Sequence, residues 1–109
     1  GIVSISTETI FDYGVPQNEI ETEDVIFRVQ IETNTAKLEL TDVKFKELPV
    51  WMYENNKLFK YTVGAYNDFD SANDLKKIMR EKGFEHAFVV AFHQNERINL
   101  EKAIKLAEN

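Results

Sequence analysis

Residues 57–92 constrain this chain more than any others, because they read as strand, helix and strand with the boundaries marked. Phe59, Tyr61 and Val63 alternate with Lys60 and Thr62, the period of two expected of a strand with one buried face. Gly64-Ala65-Tyr66 ends that strand, and Asn67-Asp68-Phe69-Asp70-Ser71 supplies a turn and several helix caps. Ala72, Leu75, Ile78 and Met79 recur at helical spacing, and Gly83 stands where a left-handed residue would end the helix. His86 to Phe92 resumes as a strand.

The remainder is weaker but ordered. The segment from Thr7 to Asp24 holds Gly14, Pro16 and an acidic run, and reads as a linker or N-terminal arm. Within Val25 to Ile31, Phe27, Val29 and Ile31 alternate with Arg28 and Gln30, predicting a strand; Glu32 to Ala36 follows as a polar turn. Thr41 or Asp42 is placed to cap a short helix through Leu48, which Pro49 helps to end. Val50 to Glu54 is a short strand, joined by an Asn55-Asn56 hairpin turn to the strand from Lys57. His93 to Arg97 reads as a polar turn, and Asn99 as the cap of a last helix on Leu100, Ala103, Ile104 and Ala107.

From Val25 the expected order is therefore β-α-β-β-α-β plus a C-terminal helix. That plan predicts an α+β fold of ferredoxin-like or RRM-like type, a four-stranded antiparallel sheet with two helices on one face. Phe27, Val29, Ile31, Phe59, Tyr61 and Val63 would face the helices. Arg28, Gln30, Lys60 and Thr62 would be left on an open face. Residues 1–24 are expected to be an acidic linker or arm, and residues 25–109 the folded domain.

Charge narrows the partners. Residues 1–24 carry Glu8, Asp12, Glu19, Glu21, Glu23 and Asp24 with no Lys or Arg, so they account for the whole net charge of −6. A neutral domain behind an acidic leader is a poor match for nucleic acid, which is held by neutralising phosphates. An RRM-like RNA reader would also need its aromatic residues on the open face, whereas Phe27, Phe59 and Tyr61 are expected to point inward. Ile2-Val3-Ser4-Ile5 and Ile10-Phe11 are apolar enough to pair with a sheet edge or with another copy of the chain. With no cysteine in the chain, disulfides, thiolate catalysis and Cys-based zinc sites are excluded. No apolar run reaches the roughly 20 residues that cross a bilayer. Nothing at the start resembles a signal peptide, and a chain beginning at Gly1 reads as a trimmed fragment.

Catalytic chemistry finds no support in the residue pattern. His86 and His93 stand seven apart without metal-ligand spacing; Asp68, Asp70 and Ser71 are accounted for as helix-start residues; and the four glycines are scattered. Lys76, Lys77, Arg80 and Lys82 read as a solvated helix face.

One resemblance bears on function. Phe27-Arg28-Val29-Gln30-Ile31, together with Tyr61-Thr62-Val63-Gly64-Ala65-Tyr66, Ala72, Leu75 and Gly83, resembles the pattern of the SPOR (sporulation-related repeat) domain family. The segments Tyr53–Tyr66 and Ala87–Phe92 are similar to the version attached to cell-wall amidases of Bacteroidetes-type bacteria. The likeness spans roughly residues 25–97 and rests on order and spacing together. Where the family usually has Gly-Ser-Phe after the first strand, this chain has Glu32-Thr33-Asn34, and its first helix is short. Residues 1–24 have no counterpart in the pattern.

The resemblance implies a non-catalytic module of the bacterial periplasm or cell envelope, without cofactor. It would bind peptidoglycan glycan strands stripped of their stem peptides, as at division septa, and localise an attached protein. The alternative is a protein-interaction or dimerisation module of the same fold. Neutral sugars present hydroxyls and apolar ring faces, so their sites combine planar side chains with amide and guanidinium donors. Arg28, Gln30, Lys60 and Thr62 are the candidate donors, with Tyr53, Tyr66 and Trp51 at the edges. Taken without the resemblance, Arg28, Lys60 and Thr62 read as ordinary solvated strand residues, and Trp51 and Tyr53 as core or half-core; Tyr66 is open between helix packing and groove lining.

Overall fold

The structure is a computed structural model that describes residues 12–21 and 23–108; the apolar residues Ile2–Ile5 and Ile10-Phe11 lie outside them. Five antiparallel strands form one sheet: β1 (Val25–Asn34), β2 (Val50–Asn55), β3 (Leu58–Tyr66), β4 (Phe88–His93) and β5 (Glu96–Ile98), in the order β2-β3-β1-β4-β5. Helices α1 (Phe69–Glu81) and α2 (Leu100–Ala107) bring Ala72, Leu75, Met79 and Ala103 into one core with Phe27, Val29 and Val63.

The helix starts follow their sequence signals. The Asp68 side chain accepts from Ser71 N at 2.8 Å, and that of Asn99 from Lys102 N at 3.1 Å, each satisfying a first-turn donor. Gly83, at φ 110°, stands two residues beyond the end of α1.

The expected four-stranded β-α-β-β-α-β sheet is not what forms. No helix stands between β1 and β2. Asp42 caps a single 3-10 turn, Val43–Phe45, and Lys46 and Glu47 then adopt left-handed backbone (φ 53° and 64°) ahead of Pro49. A segment this short gains too few hydrogen bonds to offset helix nucleation. The turn buries Phe45 against Tyr61 (ring centroids 5.1 Å apart) and leaves Val43 in solvent.

The second departure is β5. The expected polar turn tightens into a hairpin, with Gln94 and Asn95 both at positive φ (55° and 66°), so that Phe92 pairs with Arg97 and His93 with Glu96. Among the described residues the α-helices are therefore the one after β3 and the one after β5.

The sheet is also strongly curled. The β1–β3 register shifts twice, with an extra residue on β3 near Gly64 and another on β1 at Ile31. Such bulges bend a strand and increase its twist. Gly64 is required there. Its φ is 82°, and a Cβ would come within 2.6 Å of Leu75 Cδ2 and 2.9 Å of the Tyr66 ring.

The segment of residues 12–17, ahead of β1, packs on the sheet. Ala65 N donates to Tyr13 O (2.8 Å), Val15 N donates to Ala65 O (2.7 Å), and the Tyr66 hydroxyl donates to Asp12 O (2.7 Å). Gly14 permits this approach, since a Cβ would lie 1.9 Å from Ala65 O. A 3-10 turn, Gln17–Glu19, follows and extends toward Arg28. Among the described residues no helix is long and apolar enough to cross a membrane.

Candidate functional site

The face of the sheet opposite the helices is not flat and open. The register places Ile26, Arg28 and Gln30 of β1, Trp51 and Tyr53 of β2, Lys60 and Thr62 of β3, and Val90 and Phe92 of β4 on that one face. In a flat sheet β2 and β4 would stand about 14 Å apart, three strand spacings. Here the Phe92 ring meets Trp51 at 5.5 Å and Tyr53 at 4.9 Å, edge-on to both. Trp51 and Tyr53 stack on each other at 5.8 Å and 21°. The curl closes the face into a shallow aromatic trough.

Of the residues singled out from the sequence, all but Tyr66 lie in or beside this trough. Arg28 is 5% exposed; its guanidinium carbon lies 3.9 Å from the Trp51 ring centroid, and Nη2 donates to Gln17 Oε1 at 2.8 Å. Its Nε is buried and has no hydrogen-bond partner among the described residues. Burial lowers the guanidinium pKa to about 10. Gln30, equally buried, accepts from the Tyr53 hydroxyl at 2.6 Å and donates to Thr33 Oγ1 at 3.1 Å. Thr62 is fully buried and donates to Trp51 O at 3.0 Å, a cross-strand tie rather than a free donor. Lys60 donates to Asn55 Oδ1 at 3.2 Å near the hairpin tip.

Tyr53 is the hub of the exposed half. Its hydroxyl donates to Gln30 and accepts from Arg97 Nη1 at 3.1 Å, linking β1, β2 and β5. Burial raises the pKa of this phenol, and the nearby Arg97 charge partly opposes that. A depression of about 360 Å³ opens beside it, lined by Tyr53, Asn55, Phe92, Asn95 and Arg97 with Glu54 and Glu96. Tyr66 is not part of this group. It lies in the helix-side core, and burial first, then the charges of Asp12, Tyr13 and Asp68, push its pKa up to about 12.

The structure thus brings together Arg28, Gln30, Thr62 and Tyr53, sets Lys60 at the rim and sends Tyr66 to the other side. Phe92, Arg97 and Gln17 complete the trough and were not singled out from the sequence. Phe92 had a signal. The run Ala87–Phe92 is apolar at odd and even positions alike, as a strand buried on both faces must be. Arg97 and Gln17 had none, since each depends on a hairpin or strap that brings distant residues together. Among the described residues no three His, Cys, Asp or Glu side chains come together as a metal site would require. Compared with known proteins, the chain matches no family model, no curated sequence and no solved structure.

Proposed function

We propose that this domain is a non-catalytic peptidoglycan-binding module of the bacterial cell envelope. It would recognise glycan strands freed of stem peptides and localise the protein attached to it. The observation that carries this reading is the trough itself. The stacked Trp51–Tyr53 pair offers planar faces, and Arg97, Asn55 and Asn95 ring the adjacent depression with guanidinium and amide groups. Sugar rings require this pairing of apolar plates and hydroxyl-directed donors. The SPOR-like residues Arg28, Gln30 and Thr62 lie in the same trough, where Gln30 positions Tyr53 from behind.

Sedimentation with purified sacculi, before and after an amidase removes the stem peptides, tests the proposal. Pelleting should rise with peptide removal and fall in Tyr53→Ala and Arg97→Ala. Absence of pelleting under both conditions would sink it. Mass measurement in solution would then test the alternative, a dimer or other interaction module joined through a sheet edge.

A further inference from the structure

Arg28 presents an unmet need. Its charge is buried against Trp51, and among the described residues its one side-chain hydrogen bond goes to a neutral amide oxygen, that of Gln17. Nε has no partner among the described residues. Nε and Nη2 form one edge of the planar guanidinium fork, the edge that a carboxylate grips with two parallel hydrogen bonds. Gln17 takes Nη2 and leaves Nε without a partner among the described residues.

Beside Arg28 is a cavity of about 300 Å³, under the strap formed by residues 13–17. Its lining includes Val15, Pro16, Val50 and Trp51, and Arg28 is the one charged residue among the lining side chains. Glu21 and Asp24 line a smaller cavity, about 70 Å³, in which Arg28 also takes part. A negative group is therefore favoured in the first cavity and opposed in the second. The cover is lightly held: the 3-10 turn Gln17–Glu19 has no buried residue. Gln17 thus has the position of a neutral stand-in, which a better acceptor can displace.

We propose that Arg28 is a carboxylate-reading residue, and that a ligand carboxylate takes the place of the Gln17 amide on its Nε–Nη2 edge. The partly apolar walls suit a carboxylate carried on a small aliphatic group. This deepens the glycan reading and rests on it for the identity of the ligand. In peptidoglycan the stem peptide is joined through an amide to the lactyl carboxyl of each muramic residue. Hydrolysis adds water across that bond, releasing the peptide amine and leaving a lactyl carboxylate on the glycan. Arg28 would then distinguish stripped from substituted strands by charge, while the Trp51–Tyr53 plates hold the sugars.

Trp51 is the chain's one tryptophan, so its fluorescence reports on this cavity directly. The probes are N-acetylmuramic acid and its neutral lactyl amide, titrated into the full chain. The acid should give a saturable change, with the amide at least ten-fold weaker. Arg28→Met should lose the preference for the acid, and Gln17→Ala should bind the acid at least as tightly as the parent. An equal response to acid and amide, or no response to either, overturns the proposal without relying on any variant's fold. Stripped sacculi whose carboxylates have been capped as methylamides separate the two readings. Pelleting as strong as with uncapped strands would overturn the role of Arg28 and leave glycan binding standing. Failure to pellet with any sacculi would overturn the glycan reading, and the lactyl assignment with it.

Discussion

Both faces of this sheet are buried, but by different means and with different consequences. On one face α1 and α2 cover Phe27, Val29 and Val63 with Leu75, Met79 and Ala103, a predominantly apolar core. On the other, the sheet curls until β2 touches β4, and the interior so formed holds Arg28, Gln30 and Thr62 among aromatic rings. Apolar burial contributes roughly 25 cal/mol per Å² at little polar cost. Burying a guanidinium without a counter-charge costs several kcal/mol before any contact offsets it. The helix side thus holds the fold together, and the trough side keeps a buried guanidinium whose Nε has no partner among the described residues. Only the second is expected to gain when something binds.

Leu75→Ala should produce the largest loss and tests the first half of that contrast. Leu75 is fully buried and lies over Gly64, so truncation should cost about 3 kcal/mol in urea unfolding. A cost below 1 kcal/mol would mean that α1 is not what secures the sheet.

A smaller effect is expected across the trough. The Tyr53 hydroxyl to Gln30 bond is short and half-sheltered, so Gln30→Ala should cost about 1 kcal/mol by leaving that hydroxyl without its acceptor. Tyr53→Phe should lose a similar amount. In the double variant the losses should fail to add, with a coupling of about 1 kcal/mol. Additive losses would show that the two side chains act independently and would remove Gln30 as the support of Tyr53.

Tyr66 sharpens the same comparison, because it is a polar-tipped residue on the helix side. Its pKa in the folded protein, about 12, lies above the 10.0 of an unperturbed tyrosine. Its contribution to stability is therefore complete below pH 10 and is lost as pH rises through 12. In an ultraviolet titration the phase that ionises near 12 should disappear in Tyr66→Phe. That variant also removes the tie to Asp12 O, loosening the strap that carries Gln17.

The helix-side face was legible from sequence because it is built of local signals. The alternation of Phe27 and Val29, the spacing of Ala72, Leu75 and Met79, and the caps Asp68 and Asn99 are each readable within a few residues. The trough was not, because its defining event is long-range. Nothing near Trp51 or Phe92 states that two bulges, at Gly64 and Ile31, will bring them together from opposite sides of two intervening strands. Arg28 and Gln30 alternate with apolar neighbours as solvated residues do, so the same pattern fits an open face and a closed one. Helix-forming residues before Pro49 were likewise overruled by chain length and by the left-handed pair Lys46 and Glu47.

Arg28→Met should have the smallest effect on stability, and that is its value. Replacing a buried charge with an apolar side chain of similar reach should leave stability unchanged at pH 7, or raise it by about 1 kcal/mol. The pH dependence follows from the depressed pKa. The folded-state value of about 10 lies below that of an ordinary guanidinium, so folding disfavours the charged form at every pH below 10. That penalty is relieved as pH rises above 10, and any advantage of Arg28→Met over the parent should shrink there. Urea midpoints at pH 7 and pH 10.5 suffice to check it. A loss of 2 kcal/mol or more at pH 7 would reverse the contrast between the faces, because it would make Arg28 a residue the fold needs. A neutral result, joined to loss of the preference for carboxylate, would mean that the chain keeps this cation in its trough for a ligand.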